Sequence, residues 1–112
     1  MAVLRTEAVD LAYDDIGEGT PALLCVHGHS CARTDFVHQV EAFSLSHLVV
    51  TFDQRGHGES SRARDGFYGF EATAYDARVL CDALHVNGAM DVLPMHAEPG
   101  QSAFTLHCRH VS

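Results

Sequence analysis

The stretch "HLVVTFDQRGHGES", residues 47–60, decides how this chain folds. Its first six residues carry a β-branched centre, Val49, Val50 and Thr51, in a run too short for a helix, so they read as a buried strand. The strand stops at once. Asp53, Arg55, His57 and Ser60 crowd into the next turn, interleaved with Gly56 and Gly58. Glycine reaches backbone angles closed to other residues, so this is a tight corner. Asp53 and Arg55 read as partners that hold it through charge-assisted hydrogen bonds.

Working outward, "ALLCV" (22–26) is a second continuous apolar run, and continuous runs of that length suit a strand covered on both faces. The turn cluster "GEGTP" (17–21) precedes it, and the loosely alternating residues 2–6 and 8–14 read as an N-terminal hairpin. "HGHSCART" (27–34) is a loop. Thr34 and Asp35 can cap a helix with Phe36, Val40 and Phe43 on one face. Residues 71–87 read as a second helix with Tyr75, Val79, Ala83 and Val86 inward and Gly88 as its stop. "AMDVL" (89–93) begins a third short strand. The order strand, helix, strand, helix, strand specifies a parallel α/β sheet. Residues 94–112 hold two of the three prolines and show neither period, so the chain divides into an α/β part, 1–93, and an irregular tail, 94–112.

Composition narrows the partners. The 112 residues are 46% hydrophobic and 20% charged, which suits one small globular domain. Seven basic against fifteen acidic side chains give a net charge of −8, which repels phosphate backbones and anionic membrane surfaces. No run approaches a membrane span, and "MAVLRTEAVDLAY" lacks the apolar core of a signal peptide. The expected compartment is the cytoplasm, with Cys25, Cys31, Cys81 and Cys108 reduced and no CxxC among them. No cofactor is called for. His96, His107, Cys108 and His110 are metal-ligand types, but their spacing fits no closed tetrahedral site, so no metal is expected.

Four features in order resemble the N-terminal part of the α/β-hydrolase fold: the strand ending in His27-Gly28, Phe36 on the helix after it, "VVTFDQRGHGES", and the helix from about Glu71. The resemblance runs from about residue 7 to residue 93. It implies a corner that is a fold signature, with His27, Gly28, Asp53, Arg55, Gly56, His57, Gly58 and Ser60 structural. It also implies that His29, the residue after HG, lends its backbone N–H to an oxyanion hole. "GHSCA" (28–32) imitates a nucleophile elbow with Ser30 as nucleophile. It stands on the HG strand and before the corner, the wrong place in the family's order.

The family's elbow would fall near 95–99, where this chain has Met95, His96, Ala97, Glu98 and Pro99. Alanine has no nucleophilic atom, and the acid and histidine of a triad follow the elbow. The expectation is therefore a truncated or frameshifted N-terminal fragment, inactive as written. Its parent would be a serine hydrolase of esters, lactones or related bonds in small molecules. The competing reading is a small non-catalytic α/β binding protein. A sheet ending at the strand near 90–93 would present an unpaired apolar edge and favour self-association.

Overall fold

A computed structural model describes residues 1–27, 31–84, 88–93 and 104–108, the last two segments as strand backbone. Six strands form one sheet: β1 (Ala2–Arg5), β2 (Asp10–Ile16), β3 (Ala22–Val26), β4 (Val49–Phe52), β5 (Gly88–Leu93) and β6 (Phe104–Cys108). Their spatial order is β1-β2-β4-β3-β5-β6. The β1–β2 hairpin continues antiparallel onto β4, with Tyr13 opposite Phe52. The centre is parallel, Val26 lying opposite Phe52 and Cys25 opposite Leu93.

Alternation along the two central strands divides the core. Leu24, Val50 and Phe52 point to one face, where helix α2 (Phe70–Ala83) covers them with Ala77, Leu80 and Cys81. Leu23, Cys25 and Val49 point to the other. Phe36 covers them from a 3₁₀ turn (Arg33–Phe36), joined by Val40 and Phe43 of helix α1 (Val37–Phe43). The helix after β3 and the helix after β4 thus lie on opposite faces, and the chain leaves β3 for one neighbour and later returns to the other. The C-terminal end of β3 is the topological switch point, where open α/β sheets place their sites.

Three expectations change. Helix α2 ends at Ala83, and Gly88 opens β5 in place of stopping the helix. The inward face of α2 is Asp76, Ala77, Leu80 and Cys81, while Tyr75 is 61% exposed. Asp76 turns the helix this way, because its carboxylate must reach a buried arginine. Within the stretch expected to be irregular, residues 104–108 form β6, antiparallel to β5. The strand expected to be an open edge is therefore paired on both sides, and among the described residues the edge strands are β1 and β6. The remainder of 94–112 lies outside the described residues. Among the described residues no helix is long and apolar enough to cross a membrane.

Candidate functional site

Two consecutive residues at the end of β4 hold both flanks of the loop that follows β3. Gln54 takes the first flank. Its backbone N–H donates to His27 Nε2 at 2.9 Å and its side-chain amide donates to the His27 carbonyl at 2.5 Å. Asp53 takes the second. One carboxylate oxygen accepts the Arg33 backbone N–H at 2.7 Å and the other accepts Arg33 Nη1 at 2.5 Å. Both anchors are buried, His27 being 3% exposed and Asp53 0%. The parallel pairing of β3 with β4 makes this possible, since it brings residues 27 and 53 to the same end of the sheet.

The Gln54 N–H fixes the His27 tautomer. Nε2 accepts, so the neutral ring carries its proton on Nδ1. The His57 ring lies 5.0 Å away, tilted by 51°, with Nδ1 3.1 Å from the Arg55 carbonyl oxygen.

The corner is itself fastened on two sides. Ser60 Oγ donates to the Asp53 carbonyl at 2.6 Å and accepts the Ala12 N–H, while Ser61 exchanges bonds with Asp10. These zip the turn to β2. On the opposite side Arg55 forks onto Asp76, through Nε at 2.8 Å and Nη2 at 2.7 Å. Its Nη1 reaches the Phe67 carbonyl at 2.9 Å and Asp65 at 3.1 Å. A planar guanidinium suits this three-way task because its donors leave in fixed directions. Gly58 (φ +49) is required by contact as well as angle: a Cβ there would stand 2.5 Å from the Asp53 carboxyl carbon. Gly56 (φ +76) lets the Tyr68 ring close on the turn.

Charge reinforces the geometry. The hydrogen bonds to Asp76 raise the Arg55 pKa against desolvation. Desolvation opposes the Arg33 charge, but hydrogen bonds to Asp53 and Asp14 outweigh it and hold the guanidinium above its ordinary value. At Asp14 desolvation is likewise outweighed, by the N-terminal ammonium at 3.1 Å and Arg33 at 2.9 Å, and the carboxyl is held below the usual range. Asp65 is lowered by the Phe67 N–H and by Arg55. Burial pushes the Cys25 thiol up to about 12, which makes it a core residue and not a reactive one.

Beside the corner lies a cleft of about 600 Å³ lined by Val26, Gln54, His57, Tyr68, Phe70 and Thr73, among others. Its walls are mainly apolar, and the Arg55 guanidinium at its base is fully engaged. Among the described residues no group of three His, Cys, Asp or Glu is placed to hold a metal ion.

The structure therefore brings together His27, Asp53, Arg55, Gly56, His57, Gly58 and Ser60. It does not pair Asp53 with Arg55: each holds a different element, Arg33 and Asp76 respectively. Gly28, His29 and Ser30 lie outside the described residues, as do the side chains of His96, His107, Cys108 and His110. Sequence reasoning missed Gln54, Arg33 and Asp76. Gln54 stands at the variable position of the corner motif, and nothing in its type announces a clamp. Asp76 did leave a signal, an acid flanked by Tyr75 and Ala77 on an apolar helix, which calls for a buried cation.

Comparison with known proteins agrees with this geometry. The model of the alpha/beta hydrolase fold family matches residues 21–87. A Synechocystis protein bearing the name non-heme chloroperoxidase is 30% identical over 87 residues, 77% of this chain and 31% of its own length. Among solved structures, a variant of a Pseudomonas aeruginosa protein described as an epoxide hydrolase superposes with a TM-score of 0.75 at 31% identity. That match covers 83% of this chain and 31% of the other. The N-acyl homoserine lactonase AidH, bound to N-hexanoyl homoserine lactone, superposes with a TM-score of 0.72 at 28% identity, over 81% of this chain and 34% of its own. The chain thus spans about a third of the length of these relatives.

Proposed function

The chain belongs to the alpha/beta-hydrolase fold family, and from that premise we propose that it is the N-terminal, oxyanion-binding portion of a cytoplasmic hydrolase of small uncharged molecules, inactive by itself. The parent reaction is acyl transfer from an ester, lactone or related substrate. A serine oxygen adds to the carbonyl, the carbonyl oxygen becomes an oxyanion, and the leaving group departs from an acyl-enzyme that water then hydrolyses. The oxyanion is met by two backbone N–H groups, one after the HG pair and one after the nucleophile. His29 supplies the first, through its backbone alone. His27, Gly28, Asp53, Arg55, Gly56, His57, Gly58 and Ser60 are the frame that supports it.

The observation that carries this reading is the double clamp, in which Asp53 and Gln54 hold Arg33 and His27 on either side of residues 28–32. An oxyanion donor contributes most when it is held in place before the charge develops, because no reorganisation is then needed. The nucleophile is the part this chain does not provide: Ala97 stands where the family's order puts the serine.

The test is turnover of activated p-nitrophenyl esters by the chain and by Ser30→Ala. The expected result is no hydrolysis above buffer for either. Saturable hydrolysis abolished in Ser30→Ala would overturn the proposal and make "GHSCA" a working elbow. A second test is the coding DNA. If a frameshift near codon 90 replaced the elbow, another frame encodes a glycine-x-serine-x-glycine stretch followed by an acid and a histidine. Absence of that stretch from both other frames before a stop codon removes the frameshift.

A further inference from the structure

The parallel crossovers of this sheet fix which face a further one would use. A crossover between parallel strands is right-handed, so the side its helix takes depends on the direction of travel across the sheet. From β3 to β4 the chain moves one way and lays Phe36 and α1 over Leu23, Cys25 and Val49. From β4 to β5 it moves the other way and lays α2 over Leu24, Val50 and Phe52. A parallel strand beyond β5 continues in that second direction, and its connecting helix lands on the α2 face, next to α2. This chain takes a different route. β6 returns antiparallel to β5, and residues 94–103 are fewer than the dozen or more that a parallel crossover needs.

We propose that the cleft beside α2 is the seat of that helix, and that it accepts an amphipathic helix from the remainder of such a fold. The cleft opens on the required face: Val26, at the end of β3, packs with the α2 core, and Phe70 and Thr73 of α2 line the cleft beside it. Phe70, 96% exposed, and Tyr68, 55% exposed, stand where a helix laid alongside α2 would cover them. The chain spans about a third of the length of its relatives, so the length left over in those proteins is ample for the helix. The inference rests on the fold and its handedness, not on the parent reaction.

Chemistry favours an apolar helix face over a polar guest. Arg55 is committed to Asp76, Asp65 and the Phe67 carbonyl, and Gln54 to His27 and Thr73. An anionic or strongly polar guest would lose water and gain little there. The chain carries a net charge of −8, and Glu71 follows Phe70 in the first turn of α2, so a helix with a basic outer face is matched in charge as well.

The test is fluorescence anisotropy with a labelled Leu/Lys peptide of about 18 residues, about 27 Å of helix, its leucines set at helical spacing. A peptide of the same composition with its leucines scattered is the control. Both are titrated with the whole chain at about 0.3 M salt, where exposed charges are largely screened. The expected result is saturable binding of the amphipathic peptide, with a gain of helix by circular dichroism, and far weaker binding of the control. Phe70→Ser, at a position already in solvent, should leave the thermal melt unchanged and weaken binding by about tenfold or more, the cost of losing a central aromatic anchor. Thr73→Phe, which fills the cleft from within, should also weaken it. Equal binding of both peptides overturns the proposal, because charge alone would then account for it. So does binding that survives both substitutions, or no saturable binding at all. Self-association of the chain that the peptide displaces also overturns it, since a second copy would then be the occupant.

Discussion

Replacing Asp53 with asparagine tests the clamp most directly, because it keeps the shape and changes the electrostatics. The carboxylate accepts three hydrogen bonds: the Arg33 N–H on one oxygen, Arg33 Nη1 and the Glu59 N–H on the other. Asparagine can still accept the Arg33 N–H. Its amide nitrogen then faces Arg33 Nη1 and the Glu59 N–H, donor against donor. Removing one member of a buried pair costs about 3–5 kcal/mol, chiefly because the other charge stays buried without compensation. Arg33 keeps Asp14 at 2.9 Å and is 9% exposed, so the lower end applies, about 3 kcal/mol. For a domain of this size that lowers Tm by about 12 °C. The chain has no tryptophan, so guanidinium denaturation is followed by far-UV circular dichroism. Arg33→Met in the Asp53→Asn background should recover part of the loss by removing the stranded charge. A loss below about 1 kcal/mol, the level of an exposed pair, would refute the buried clamp.

Three further outcomes follow from the same structure. Gly58→Ala should destabilise more than Gly66→Ala: both carry about 1–2 kcal/mol of left-handed strain, but only at Gly58 does the new Cβ strike a carboxylate, while Gly66 has nothing within 4 Å. Paired denaturation curves of equal midpoint would contradict this. Cys25 should resist thiol reagents in the native state, its thiol being buried and pushed up to about 12, whereas half-exposed Cys31 should label before it; mass-spectrometric mapping reads the order, and early labelling of Cys25 would mean the core is open. Asp14 and Asp65 have folded-state pKa values below the ordinary 3.8, so their contribution is complete above that value and is lost as pH falls through the lowered ones. The denaturation midpoint should therefore hold from neutrality down to the ordinary carboxylate range and fall below it, less steeply in Asp14→Asn; an unchanged slope in that variant would show that Asp14 is not linked to folding.

The central strands and the corner were legible because their determinants are local. "ALLCV" and "VVTF" can only be strands covered on both faces, and the glycines of the corner restrict the backbone whatever surrounds it. The HG pair and the D-x-R-G-H-G-x-S corner identified the family for the same reason. Helix α2 was legible as a helix, but its rotation was not. Periodicity alone favours Tyr75 and Val79 inward, and it has no means of weighing an ion pair formed across 21 residues. Once Arg55 is buried, the need to neutralise it outweighs the burial of one tyrosine ring, and Asp76 takes the inner face.

The strand at 104–108 escaped for a related reason. Its hydrogen bonds are all made to another segment, so its pairing lies in β5 and not in its own pattern. The same division runs through the site. The sequence by itself determined which residues end the two central strands and that the corner between them is tight. Which residue each side chain grips was decided by tertiary structure: parallel pairing carries residue 27 to residue 54 and residue 33 to residue 53. Contacts between distant segments depend on where the sheet places them, and a linear pattern records the partners' types without their meeting.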